Sequence, residues 1–139
     1  MVEQTLVLIK PDATKREIWL QIIDHYKQAG FFIKKTRLIP KMRKKDVRKF
    51  YHVHKDKPFF GRLVDFMSSG PAIALLIEGQ NVVEEIRKLN GSTDPKKAEK
   101  KTIRKEFGKK GGEKHENAVH ASDSLESAQR EIKIFFSDK

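Results

Sequence analysis

Five histidines, thirty lysines and arginines and no cysteine set the chemistry open to this chain of 139 residues. Without a thiol there is no disulfide framework, Cys-liganded zinc, iron–sulfur cluster or thiolate catalysis, and any nucleophile must be another group. Among His25, His52, His54, His115 and His120 the last stands apart. It lies between an apolar pair and a helix start, with Ser122-Asp123-Ser124 directly after it and Glu131 one helix further on. A side chain there can face the amide donors of a helix N-terminus, where anions are stabilised. The same serines and aspartate also read as an N-cap cluster, with Asp123 and Glu126 as a capping-box-like pair.

Glu131 borders the apolar stripe of the last helix, three residues after Ala128 and four before Phe135. It is therefore expected to be partly buried and to need a partner. If His120 uses one ring nitrogen as a nucleophile, the other needs an acceptor that fixes the tautomer, and Glu131 suits that role; a salt bridge to a neighbouring Lys or Arg fits equally well. Lys10 at the end of the first apolar run, with Arg87 and Arg104, offers cations for phosphate oxygens, and three cations near one histidine suggest phosphate transfer. Taken singly, each reads more readily as a solvated charge. The run Gly108-Lys109-Lys110-Gly111-Gly112 lacks the spacing and the hydroxyl of a P-loop, and no G-x-G-x-x-G follows a strand. His52 and His54 lack the spacing of a zinc-binding H-E-x-x-H helix. Phe60 falls on an apolar stripe, which leaves Phe59 as the better platform for stacking a base.

These groups must be held by a framework, and the apolar periodicity outlines one. Thr5 to Ile9 reads as a buried strand stopped by Lys10-Pro11-Asp12, where Asp12 suits a turn or a helix start. Ile18, Ile22, Ile23 and Tyr26 then fall at helical spacing up to Gly30. A strand from Phe31 to Ile39 and a short helical face of Val47, Phe50 and Tyr51 follow. Phe60, Leu63, Val64 and Met67 mark another helix, Ala72 to Ile77 a central strand, and Val82, Val83, Ile86 and Leu89 a helix capped by Asn81. Gly91 to Glu116 reads as a long, basic, largely irregular excursion, of the kind that is more often functional than decorative. Ala118-Val119-His120 is a short last strand. Ser122 or Asp123 caps a helix with Leu125, Ala128, Ile132 and Phe135 on one face. The expected order is β-α-β-α-α-β-α-β-α, residues 1–139 forming one domain.

The net charge of +11 predicts polyanionic partners, either nucleic acid or a small multiply charged ligand. No apolar stretch is long enough to span a bilayer, and Val2 to Ile9 lacks the features of a secretion signal, so no membrane partner is expected and the chain reads as cytoplasmic. A second reading, from a different class, is a nucleic-acid-binding module built on Lys34 to Lys49, where nine Lys and Arg face Asp46 alone, together with the excursion after Gly91.

Lys10-Pro11-Asp12, Tyr51, Lys57-Pro58-Phe59-Phe60, Ser69-Gly70-Pro71, Asn81-Val82-Val83, Thr93-Asp94-Pro95, Thr102-Ile103-Arg104 and Asn117-Ala118-Val119-His120-Ala121-Ser122-Asp123-Ser124 run nearly end to end. In order and spacing this set resembles nucleoside diphosphate kinase. The resemblance implies an α+β, ferredoxin-like βαββαβ domain with a four-stranded antiparallel sheet. It also implies ping-pong transfer of a γ-phosphate from a nucleoside triphosphate to a nucleoside diphosphate. His120 matches the family's phosphorylated nucleophile, and Glu131 and Ser122 match its support. Tyr51 and Lys10 match groups lining the phosphate site, and His54, Arg87, Thr93 and Arg104 match phosphate binders. Asn117, with Lys10, resembles the contact to the sugar hydroxyl; Phe59 resembles the ring under the base, with Leu63 beside it. Stacking on a π-face without reading base edges predicts broad base tolerance.

Magnesium is expected to arrive on the nucleotide, with Asp123 at most a water-mediated contact. A homo-oligomer, tetramer or hexamer, is also implied. Three features depart from the family pattern: Ala121 stands where glycine is usual, Lys101 stands where glycine is common, and the segment from Arg104 to Asn117 is about three residues longer than usual.

Overall fold

In the computed structural model of the chain, which describes residues 2–110, 112 and 115–136, four strands form one antiparallel sheet in the order β2-β3-β1-β4. The strands are β1 (Val2–Ile9), β2 (Phe32–Ile39), β3 (Ala72–Gln80) and β4 (Val119–Ala121). β1 pairs along its whole length with β3, from Val2 against Gln80 to Ile9 against Ile73, and offers its other edge to β4. β2 lies outside β3, with a register irregularity between Ile33 and Lys35.

Alternation along the two central strands divides the interior into two cores. Val7 and Ile9 of β1 with Ile73, Leu75 and Ile77 of β3 face α2 (Trp19–Gln28) and α5 (Val82–Asn90). Leu6 and Leu8 with Ala72 and Ala74 face α3 (Lys44–Phe50), α4 (Phe60–Met67) and α7 (Leu125–Phe136). The first face thus carries the two crossover helices of a βαββαβ unit, β1-α2-β2 and β3-α5-β4, and the fold is α+β and ferredoxin-like. The second face carries what the chain adds between β2 and β3 and after β4. The residues 10–16 turn back through α1 (Pro11–Lys15), with proline in its first turn, where its missing N–H costs nothing.

Several expectations change in detail. The excursion after Gly91 is not wholly irregular: it holds a 3-10 turn at Pro95–Lys97 and α6 (Ile103–Phe107), capped by the Thr102 hydroxyl accepting from the Lys105 amide. Ile103 is buried in the first core. Gly111, Glu113 and Lys114 of that segment lie outside the described residues. Asn81 makes no side-chain cap to α5 and instead adopts a left-handed conformation with φ 49. Ser124, not Ser122 or Asp123, caps α7, its hydroxyl accepting from the Ser127 amide at 3.0 Å. Leu125 points outward, 43% exposed, so the inward face of α7 consists of buried Ala128, Glu131 and Phe135 with Ile132 partly buried against the same core. Of the basic run, Lys34, Arg43 and Lys44 pair with Glu78, Asp46 and Asp65, so part of its charge is neutralised locally.

Candidate active site

β4 sets His120 opposite Leu8. Cross-strand partners project from the same face of a sheet, so the imidazole stands among α3, α4 and α7, while Val119 and Ala121 join the opposite core. Its ring meets the edges of Phe50 and Tyr51 at centroid distances of 4.7 and 5.7 Å, yet 21% of the side chain stays exposed. Nε2 lies 3.0 Å from Glu131 Oε1, and the same oxygen accepts from Ser122 Oγ at 2.8 Å. The Ser122 amide donates to Leu6 O at 3.1 Å, which ties this chain of bonds to the centre of the sheet.

A carboxylate can only accept, so Nε2 holds the ring proton and Nδ1 keeps its lone pair. Among the described residues no hydrogen bond reaches Nδ1. Burial, with Lys10 and Arg104 adding to it against the pull of Glu131, holds His120 below the ordinary imidazole pKa of 6.5. At neutral pH the ring is therefore uncharged and fixed in one tautomer, with the Nδ1 lone pair free to act as a nucleophile.

A cleft of about 730 Å³ opens in front of the ring. Lys10 enters it from the end of β1, Arg87 from α5, Thr93 from the turn after α5, Arg104 from α6 and Asn117 from the segment before β4. Tyr51 and His54 come from the end of α3 and the 3-10 turn after it, Phe59 and Leu63 from the start of α4, and Asp123 from the entry to α7. These residues and His120 with Glu131 share one cavity. Ser122 does not line it; fully buried, it touches Glu131 from behind. His25 pairs with Glu106 at the surface, and His52 is exposed and apart from the cleft.

Several polar groups in the walls bind one another, and others are left without a partner. Lys10 Nζ donates to Asn117 Oδ1 at 2.9 Å and to His115 O at 3.2 Å, and Asn117 Nδ2 donates to Thr93 O at 2.7 Å, so one amide knits three segments together. Burial and the nearby Arg104 lower Lys10 to about 7, with Asp12 working the other way. Arg104 gives Nη1 to Gly91 O and Nη2 to Val119 O, while its Nε, Tyr51 Oη and His54 Nδ1 are buried without a partner. Unmet buried polar groups cost free energy, and these three belong to residues that line one cleft. Burial raises the Tyr51 phenol, which remains a donor, and lowers His54, which remains neutral.

Asp12 plays a part beyond the turn expected for it. Its Oδ2 accepts from the Ala118 amide at 3.0 Å and from Arg16 at 3.2 Å, while the Lys10 amide donates to Ala118 O at 2.8 Å. Ala118 is thereby held at φ 74, two residues before His120. Ala121 sits in β4 opposite Val7 and outside the left-handed region, so its methyl group is accommodated where glycine freedom is not needed. Lys101, at φ 70, does adopt the conformation that favours glycine. The described residues contain no group of three or more His, Cys, Asp and Glu able to hold a metal. Asp123 lines the cleft with a carboxyl kept below its usual range first by the Ser127 hydroxyl.

Reasoning from sequence missed Phe50, which boxes the ring, and Val53, Arg62, His115, Ser127 and Arg130 along the cleft. The adjacency of Arg130 to Glu131 was the one visible signal; the others depend on contacts across the fold.

Comparison with known proteins agrees with this geometry. Residues 3–139 match the family model described as nucleoside diphosphate kinase. The nucleoside diphosphate kinase of Persephonella marina is 47% identical over 136 residues, covering 98% of this chain and 94% of that protein. The one from Nitratiruptor sp. is 46% identical over 138 residues, covering 99% and 98%. Among solved structures, the Aquifex aeolicus nucleoside diphosphate kinase superposes with a TM-score of 0.92 at 42% identity, covering 99% of this chain and 96% of that one.

Proposed function

The chain belongs to the nucleoside diphosphate kinase family and is a phosphotransferase, and from that premise we propose that it moves the γ-phosphate of a nucleoside triphosphate to a nucleoside diphosphate in two half-reactions through a phosphohistidine on His120. The observation that carries this reading is the tautomer: Glu131 occupies Nε2 at 3.0 Å and leaves Nδ1 as the nucleophile beside a cationic cleft. In the first half-reaction the Nδ1 lone pair attacks the γ-phosphorus, the bond to the β,γ-bridging oxygen breaks, and the diphosphate leaves with that electron pair. In the second, a β-phosphate oxygen of another diphosphate attacks the phosphorus, and Nδ1 recovers its lone pair. Positive charge builds on the ring as the N–P bond forms, and Glu131, steadied by Ser122, offsets it.

Lys10, Arg87 and Arg104, with Thr93, Tyr51 and His54, bind and align the phosphates, since phosphoryl transfer asks the protein chiefly for in-line positioning and charge neutralisation. Asn117 and Lys10 meet the sugar. Phe59, 39% exposed, supplies a stacking face with Leu63 beside it, and recognition of a π-face accounts for broad base tolerance. Magnesium is part of the substrate, neutralising phosphate charge, with Asp123 reaching it through water. The reading includes a cytoplasmic homo-oligomer whose partners are nucleotides.

Intact-mass measurement tests the mechanism. Incubation with magnesium ATP adds one phosphoryl group, and a nucleoside diphosphate removes it; His120→Ala abolishes the gain. A variant that still gains the group to the wild-type extent shows that another residue is the nucleophile.

A further inference from the structure

The imidazole of His120 is held by two arms that belong to different helices. One is the carboxylate of Glu131 on α7, at 3.0 Å from Nε2. The other is the aromatic wall at the end of α3, where Phe50 is edge-on at 4.7 Å and Tyr51 at 5.7 Å. Both arms must keep their spacing for the ring to stay in one orientation. Phe50 is 2% exposed and its own ring is packed by Phe135 of α7 at 5.3 Å, but a ring-to-ring contact sets distance more firmly than rotation. Arg130, with its side chain 43% exposed, is placed to make a directional link between the two helices.

Arg130 precedes Glu131 on α7. Its Nη1 lies 3.4 Å from Lys49 O and its Nη2 3.4 Å from Phe50 O. These are carbonyls of the last turn of α3, which have no partner within their own helix, and a cation there also meets the negative end of the helix dipole. The same Nη2 lies 3.6 Å from Glu131 Oε2, the oxygen that neither His120 nor Ser122 uses. One planar guanidinium thus addresses the end of one arm and the free oxygen of the other, which the single flexible ammonium of lysine would do less well.

We propose that Arg130 is a positioning residue of the phosphoryl-transfer reaction: it fixes the carboxylate arm on α7 to the aromatic arm on α3 and so sets the orientation and tautomer of His120. The inference rests on the phosphohistidine reading above. It acts through Glu131 and the α3 carbonyls.

The experiment compares wild type with Arg130→Met and Arg130→Lys, using magnesium ATP and a nucleoside diphosphate. It combines rapid-quench phosphorylation, steady-state KM, and nitrogen NMR of the His120 ring. A displaced reacting group loses rate steeply, so Arg130→Met is expected to phosphorylate roughly 10-fold more slowly. Its nucleotide KM stays near the wild-type value, and its ring signals move from one tautomer toward a mixture. Arg130→Lys recovers part of the rate and of the tautomer signature, and carries the test should the methionine variant fail to fold. Unchanged rate and ring signals overturn the proposal. So does a rise in KM at constant kcat, which would make Arg130 a nucleotide contact. Failure of the phosphohistidine reading is distinguishable, because it appears in the wild type as the absence of any phosphoryl mass gain.

Discussion

Replacing Glu131 with glutamine separates the charge of the carboxylate from its shape. Oε1 accepts from His120 Nε2 at 3.0 Å and from Ser122 Oγ at 2.8 Å, and an amide oxygen in the same place can still accept both. What disappears is the negative charge facing a ring that, in the proposed mechanism, becomes positive as it takes the phosphoryl group. Hydrogen bonds to charged groups contribute about 1.5–3 kcal/mol and neutral ones about 0.5–1.5, a loss of about 1–2 kcal/mol. That loss corresponds to a rate reduced by roughly 5- to 30-fold. The pH profile moves in a defined direction. Glu131 raises the His120 pKa through its hydrogen bond and its charge, against burial, which lowers it. Without that charge the midpoint of the acid limb falls further below 6.5, since the uncharged ring persists to lower pH. Rapid-quench phosphorylation between pH 5 and 8 on the order of one point per half unit reads both effects. The expected variant is slower on its plateau yet keeps that plateau into more acid solution. A plateau rate equal to the wild type, or a midpoint displaced upward, refutes the argument that Glu131 acts through its charge on the imidazole.

Lys10→Met is expected to stabilise the fold while lowering turnover. Burial holds Lys10 near 7, against 10.5 for an exposed lysine; the cost of burying its charge is therefore complete below the folded value and fades as pH rises toward the unfolded one. Calorimetry should find the gain in Tm larger at about pH 6 than at about pH 9.5, and an equal gain at both would contradict it. Gly91→Ala acts on the backbone. Gly91 sits at φ 87, and an added Cβ would come 2.7 Å from the Thr102 side chain. A loss of about 1–3 kcal/mol is expected from the urea midpoint, and stability equal to the wild type would show that this turn tolerates rearrangement.

The parts of the fold that could be read in advance are those whose signal is local. Thr5 to Ile9 and Ala72 to Ile77 are short apolar runs of strand length, and α4 follows from Phe60, Leu63, Val64 and Met67. α6 was missed because it has five residues, too few for a periodicity, and is anchored by Ile103 and the Thr102 cap. Ser122, Asp123 and Ser124 are equally good caps in isolation; Ser124 caps because Ser122 is drawn across the sheet to Glu131. At the site, His120 and Glu131 were legible together because the pairing joins β4 to the following helix, eleven residues apart. Arg130 and Phe50 were not, since their meeting spans eighty positions. Asp12 announced a turn, and its bond to Ala118 spans 106 positions, a partner that only the folded sheet supplies.

β4 has three residues and pairs on one side alone. Its ladder is too short to hold a reacting group still, and the remaining hold comes from Asp12, Arg104, Ser122 and the Lys10 amide, drawn from distant parts of the chain. A half-assembled copy consequently has no aligned ring to offer a triphosphate.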